Sequence, residues 1–578
     1  MAQGGEGRRP SGWFAAPLRV AFALGAAEAT GELSARLPGV GLALGLVGAA
    51  ILGWLHRRGR RLPTGALLGI CGALLASAVL PTLALAQDPY GALPAWRAWP
   101  LPATSLAFLT SGALAWLAAS SRLRELRAPS DGAAKLRIEA RPAPRLALGI
   151  GLCATAVFLP VSIAGMQISI GVTAAALLLA LATGARPALE SPLDGPFAAL
   201  ILAATLSWIG LGTLRPLVDH PAAAPFWEVT ALWGLISYFV LSRAIRLAHA
   251  ALLPWCIAAW CTACAAVSAL GFAQHWTGFD LVAALGLRPP IRVDAPESPG
   301  HFAALGTFSS RLTMAHVTLT VLSLLIGLWL AGALRGRVRL FAALAVALEL
   351  AGLWATFARA AWLALLAVAA LATVLALGVP NRRRALRGLF ALGLAALLLS
   401  ALSPGARSWG AAALRPSRNR DRLFLWARAA EIALDHPIHG VGFGRYAEVL
   451  GPYYDRYDQG FFMRTWAHDM PLSLLCETGP LGLFAFFWLF AEGLRLARLA
   501  WRAGSSAEAS SFARGLCLGA ALATLAFFTV SLFHDALYNG EVTYNLAFGL
   551  ALAACAAARA PAPLPSGRAA INSAPQRC

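Results

Sequence analysis

Apolar residues in this chain recur in runs of about 17 to 23 positions, separated by short polar connections. A helix of that length spans a hydrocarbon core of about 30 Å. Stretches such as 65–86 and 388–403 are apolar on every side, as expected of helices facing lipid and not of helices with one face in water. Segmentation predicts sixteen helices, four before residue 121 and twelve between residues 146 and 558. The first two runs are the weakest, with Glu28 and Glu32 near their junction, which sets the range at fourteen to sixteen. The predicted fold class is all-α, a polytopic membrane helical bundle.

Charge adds orientation to this picture. The net charge of +20 could suggest a nucleic-acid partner, but the basic residues fall in alternate short connections. One set holds Arg57, Arg58, Arg60 and Arg61, the seven basic residues from Arg122 to Arg145, then Arg335, Arg337 and Arg339, then Arg382, Arg383, Arg384 and Arg387, then Arg495, Arg498 and Arg502. The other set is nearly bare. Basic residues in short loops mark the cytoplasmic side, so both termini are expected there, and the loops 272–311 and 404–470 are expected to face outward. The positive charge is then a topology signal, and no nucleic acid is called for. Arg8 and Arg9 precede a stretch without a cleavage site, so the first helix is expected to be an uncleaved anchor.

The polar stretch 121–145, with Pro129, Pro142 and Pro144, reads as a linker. It divides an amino-terminal four-helix unit (1–130) from a twelve-helix unit (145–558), and the Pro-, Ala- and Ser-rich tail 559–578 is expected to be disordered. Cys261 and Cys264 have the spacing of a redox or metal pair, but inside a membrane helix they read as small apolar packing.

Candidate chemistry centres on the loop 404–470, which carries nine Arg. Asp421 to Leu434 reads as a helix, with Asn419 or Asp421 as N-cap and Pro437 as its end. His436 to Gly444 follows, with three glycines at alternate positions. No strand precedes it, so it reads as a tight turn and not as a phosphate loop. His436 and His439 flank Pro437 and read as structural. His468, in Trp466-Ala-His-Asp-Met470, stands at the membrane boundary. It reads either as a structural hydrogen-bonding residue or as a base oriented by Asp469. The surrounding guanidinium groups, suited to bidentate phosphate binding, favour the second. Arg359 falls in a short outward turn, where snorkelling and anion binding are equal alternatives. Glu349, in the helix before it, reads equally as a functional carboxylate or as the buried partner of an Arg.

Several of these stretches together resemble the O-antigen ligase and polymerase superfamily. They are Trp426 to Gly444, Ala467-His468-Asp469, Glu477-Thr-Gly-Pro-Leu-Gly-Leu483, Thr356 to Arg359 and Gly306-Thr-Phe308. The specific resemblance runs from about Gly306 to Leu483, and the first 130 residues lie outside it. It implies a GT-C-type membrane glycosyltransferase that moves a glycan from undecaprenyl pyrophosphate to an acceptor hydroxyl on the periplasmic side of the bacterial inner membrane. By the same resemblance His468 matches an essential loop His, Arg359 a pyrophosphate-binding Arg, and Glu477 the Glu of a conserved helix start. Two positions depart from the family pattern. The family's His-Asn is His468-Asp469, and the Arg expected before Gly306 is replaced by Ala303, Ala304 and Leu305, with Arg311 the nearest substitute.

The expected site is therefore His468 and Asp469 as catalytic residues, with Arg359, Arg422, Arg311 and Glu477 binding substrate. Neither a cofactor nor a metal is required, because the pyrophosphate lipid is already an activated donor. The expected partners are that lipid-linked donor, a lipid A-core or other glycan acceptor, and membrane lipids. Within the family, ligase is favoured because the long loop falls between the ninth and tenth helices of the core unit. A polymerase and a protein O-oligosaccharyltransferase remain open. A secondary transporter would call for inverted repeats, which the sequence does not display.

Overall fold

The computed structural model describes residues 142–185, 191–214, 230–248, 250–295, 300–377, 420–455, 466–502 and 508–559, with a few helical positions between 383 and 390. All belong to the second of the two units into which the chain divides, Arg122–Cys578. The four amino-terminal apolar runs, the run at 388–403 apart from Phe390, the loop positions 404–419 and 456–465, and the tail from 560 lie outside the described residues.

Eleven of the twelve apolar runs of the core unit are helices among the described residues. They are α1 (Pro142–Phe158), α2 (Ile163–Ala182), α3 (Asp194–Leu214), α4 (Thr230–Leu247), α5 (Leu253–Thr277), α6 (Arg311–Leu330), α7 (Gly336–Ala355), α8 (Arg359–Leu377), α10 (Met470–Arg502), α11 (Glu508–Ser531) and α12 (Gly540–Arg559). The remaining long helix, α9 (Arg420–Asp435), lies in the loop before α10. Eight of them, α2, α5, α6, α7, α8, α10, α11 and α12, are long and apolar enough to cross a membrane, and α1 and α3 contain shorter apolar segments. β structure among the described residues amounts to one isolated bridge between Asp294 and Phe302. The protein is an all-α polytopic membrane protein.

Lipid tails are as apolar as the helices, so burial does not drive helix against helix; close van der Waals packing does. The seam between α6 and α11 shows this in sequence. Gly515-Leu-Cys-Leu-Gly519 presents two glycines one turn apart. A Cβ on Gly327 of α6 would stand 2.1 Å from the Gly519 nitrogen, so the two backbones touch directly. A side chain at any of these positions would push the helices apart.

That seam matters because of what its helices carry at one end. α6 begins with Arg311, and α11 runs out into the turn holding His534 and Asp535. The other ends assigned outward by the charge alternation gather there too. Phe302 N–H donates to His275 O at the end of α5 (3.0 Å), and Ala304 N–H to Ala355 O at the end of α7 (2.8 Å). Asn539, before α12, donates through Nδ2 to Thr313 Oγ1 in α6 (2.6 Å). These bonds lock the connecting turns onto one another, and the candidate site is made of those turns.

Candidate functional site

The site is built on a deliberate break in α10. Gly479 has φ 67°, and Pro480 follows it inside the helix. Proline has no N–H to give, so the carbonyl four residues back is left without its helical donor. The turn from α9 supplies the missing donors: Val441 N–H donates to Cys476 O (2.9 Å) and Gly442 N–H to Glu477 O (2.8 Å). The fit excludes side chains on both surfaces. A Cβ on Gly440, itself at φ 66°, would lie 2.3 Å from the Glu477 carbonyl carbon, and one on Gly479 would lie 2.2 Å from Ile438 O.

Glu477 completes the joint. Its fully buried carboxylate accepts from Gly444 N–H and Tyr446 N–H, each at 2.9 Å, and from the Tyr538 hydroxyl. The glycine turn thus gives its amides to α10, as a tight packing turn does. Tyr538 extends the connection: its ring stacks on Trp466 (centroids 4.7 Å apart) and tilts against Phe443 (4.9 Å). One aromatic residue therefore joins the glycine turn, the approach to His468 and the turn after α11.

His468 sits at the start of α10 with φ 54°. Its N–H donates to Asp535 Oδ2 at 2.9 Å, and its Nδ1 lies 3.5 Å from the same oxygen. The Ser473 hydroxyl donates to Asp535 Oδ1, so the carboxylate is held from both sides. The His468 side chain remains 32% exposed. Asp469 turns the other way. Its Oδ1 accepts from Leu472 N–H at 2.9 Å, capping the first turn of α10. Burial, reinforced by the nearby Asp535, pushes its carboxyl up to about 8. The carboxylate beside His468 is that of Asp535, and the side chain of Asp469 serves the helix end.

The arginines arrive from three segments. Thr356, after α7, donates its hydroxyl to Leu353 O (2.6 Å) and accepts from Ala358 N–H (3.3 Å). Between them Phe357 takes φ 52°, and this tight turn sets Arg359 at the first position of α8. Arg311, at the first position of α6, reaches Thr356 O with Nη1 (3.5 Å). Arg359 lies within electrostatic reach of Arg311 and of Arg422 on α9, and Arg422 is also within reach of Asp535. Burial first, then the Arg359 charge, draw the Arg422 guanidinium below the usual arginine range, while Asp535 opposes the shift. Three half-buried guanidinium groups in one place repel one another, an arrangement that a multivalent anion would relieve.

Phe357 and His468 are the two non-glycine residues with positive φ among the described residues. Such a conformation costs about 1–3 kcal/mol and persists where the surroundings enforce it. Here one precedes Arg359 by two positions and the other is the candidate base. The Gly306 turn is held differently: Leu305 N–H and Gly306 N–H both donate to Gln274 Oε1 (2.7 and 3.0 Å), and Ala303 and Ala304 are buried. No cation could be seated at those alanines without displacing this packing.

Of the residues expected from sequence, the structure brings His468, Arg311, Arg359 and Arg422 to one end of the bundle. It engages the carboxylates of Asp469 and Glu477 in the frame around them. Glu349 is fully buried in α7, away from these turns, and neither carboxylate oxygen has a hydrogen-bond partner. Asp535, Ser473 and His534 were not anticipated. The signal for the first and last was a polar pair, His534-Asp535, in a short turn between apolar runs, which is the same signal that marked Arg359. Among the described residues no three His, Cys, Asp or Glu side chains converge so as to hold a metal ion.

Residues 340–487 match the family model described as O-antigen ligase. No curated protein matches the chain.

Proposed function

From an O-antigen ligase domain that spans residues 340–487, we propose that this protein transfers a glycan from undecaprenyl pyrophosphate to an acceptor hydroxyl at the outer face of the bacterial inner membrane. The acceptor in this reading is lipid A-core. The support is a single juxtaposition: guanidinium groups from α6, α8 and α9 beside the His468–Asp535 pair at one end of a membrane bundle.

The chemistry follows from that juxtaposition. With Nδ1–H turned to Asp535, His468 keeps the Nε2 lone pair for the acceptor proton. The acceptor oxygen attacks the anomeric carbon as Nε2 takes its proton, and the bond from that carbon to the pyrophosphate oxygen breaks with the electron pair leaving on the pyrophosphate. Arg311, Arg359 and Arg422 hold the leaving group, where negative charge grows in the transition state. Asp535 stabilises the imidazolium as it forms, in the way a buried carboxylate does in other His-dependent transfers. Glu477 keeps the glycine turn docked, and Asp469 fixes the start of α10.

The test is deletion of the gene followed by gel analysis of surface glycolipid and of the lipid-linked pool. Polymer lost from lipid A-core and accumulating on undecaprenyl pyrophosphate supports the ligase. A cap of one repeat unit indicates a polymerase, and normal glycolipid with unglycosylated pili indicates transfer to protein.

A further inference from the structure

His534 is the buried titratable group at this end that the mechanism leaves unused. Its ring stands 5.5 Å from that of His316 in α6 and 6.1 Å from that of His468 before α10. Arg311 of α6 and Arg422 of α9 are within electrostatic reach, and Asp535 is its chain neighbour. His534 is nine-tenths buried. Behind it the Nε2 of His316 is buried without a partner. A buried polar side chain is ordinarily satisfied. His534 therefore stands between a buried, unpartnered imidazole and two guanidinium groups of the arginine cluster, on the side where an anion held by that cluster would lie.

We infer that His534 is a charge-matching residue: it is neutral while the arginines hold no anion, and it takes up one proton when a pyrophosphate binds among them. This rests on the pyrophosphate reading given above. Burial first, and then His316, Arg422, His468 and Arg311, hold His534 well below the usual imidazole range. A pyrophosphate diester brings two negative charges to the same neighbourhood. It offsets the cations that keep the ring neutral, so the proton bound from solvent is stabilised. On transfer the leaving pyrophosphate gains a further negative charge, and the protonated His534 is in place to oppose it. His316 packs beside His534 from α6, ring against ring. His534 acts through the charge of the site and not by touching the reacting atoms, so it is a positioning residue.

The experiment is isothermal titration calorimetry of the full-length, detergent-solubilised protein with P1,P2-dimethyl pyrophosphate, a dianion with no group titrating near neutrality. Titrations at pH 7.5 in buffers of different ionisation enthalpy count the protons exchanged on binding. The wild type is expected to take up a proton in a fraction approaching one per ligand, with affinity rising as pH falls. His534→Gln is expected to bind with about tenfold lower affinity and no proton uptake, whereas His468→Gln keeps the uptake. Binding without proton uptake in the wild type would overturn the assignment, as would uptake that survives in His534→Gln or is lost in His468→Gln. Absence of any binding by a wild type that Arg359→Ala cannot weaken further would sink the pyrophosphate reading itself, a result distinct from binding without proton linkage. A His534→Asn variant with an unchanged gel-filtration profile guards against misfolding of the Gln variant.

Discussion

The amide of His468 donates to Asp535 across 67 residues of sequence, and the His468 ring nitrogen stands 3.5 Å from the same carboxylate oxygen. One oxygen therefore holds the strained backbone of the candidate base and stands beside its ring. Asp535→Asn should preserve the amide contact and lose the charge that stabilises the imidazolium. We expect kcat for glycan transfer to fall by about 10²–10⁴-fold with KM for donor little changed. A loss appearing only in KM, measured on purified protein with lipid-linked donor, would remove Asp535 from the reaction.

Asp469 predicts a stability profile. Its folded carboxyl is pushed up to about 8 from an ordinary value of 3.8. The folded protein therefore keeps a proton that the unfolded chain has already released, so stability falls as pH climbs from about 4 and levels off above about 8. Asp469→Asn mimics the protonated group and still accepts from Leu472 N–H. Its unfolding temperature should match the wild type at pH 5 and exceed it at pH 8.5, by differential scanning fluorimetry in detergent. Parallel curves for the two proteins across that range would count against a buried, proton-holding Asp469.

These two carboxylates also show what the sequence could and could not convey. The helices were legible because a lipid surround demands long runs without polar interruption. Arg311, Arg359 and His468 were legible as polar groups at the ends of apolar runs, and Arg422 as part of the helix in the long loop. The partner of His468 was not. Adjacent residues at a helix start point in different directions, so Asp469 next to His468 in sequence caps the helix, and the carboxylate at the ring comes from a turn that only tertiary packing brings near. Glu477 belongs with it: the Glu-Thr-Gly-Pro pattern announced a helix start, and the structure adds that the break at Gly479 and Pro480 exists to be filled by the amides of the turn before it.

That joint leads to a test of fold. Gly440→Ala would place a methyl group 2.3 Å from the backbone of Glu477 at a positive φ. The positive φ alone costs about 1–2 kcal/mol, and because the obstacle is backbone the turn would have to lift from α10. We expect lower yield in the membrane, a lower unfolding temperature and loss of transfer together. Gly451→Ala, where nothing stands within 4 Å of the added methyl, should be close to wild type in all three. Equal behaviour of the two variants would show that the turn is not docked as described.

The arginine cluster separates charge from shape. Three guanidinium groups that converge on one anion share its charge, so removing one leaves the others closer to their own repulsion minimum, and their effects should not add. Arg359→Ala is expected to raise KM for the lipid-linked donor about tenfold or more and to lower kcat as well, because the pyrophosphate is held more tightly as it leaves. Arg359→Lys keeps the charge but not the planar fork that grips two phosphate oxygens, so it should recover donor binding better than turnover. The double variant Arg359→Ala, Arg422→Ala should lose less than the product of the two single losses. Strict multiplication of those losses in the kinetics would mean that the two side chains hold separate groups, and the shared pyrophosphate clamp would have to be abandoned.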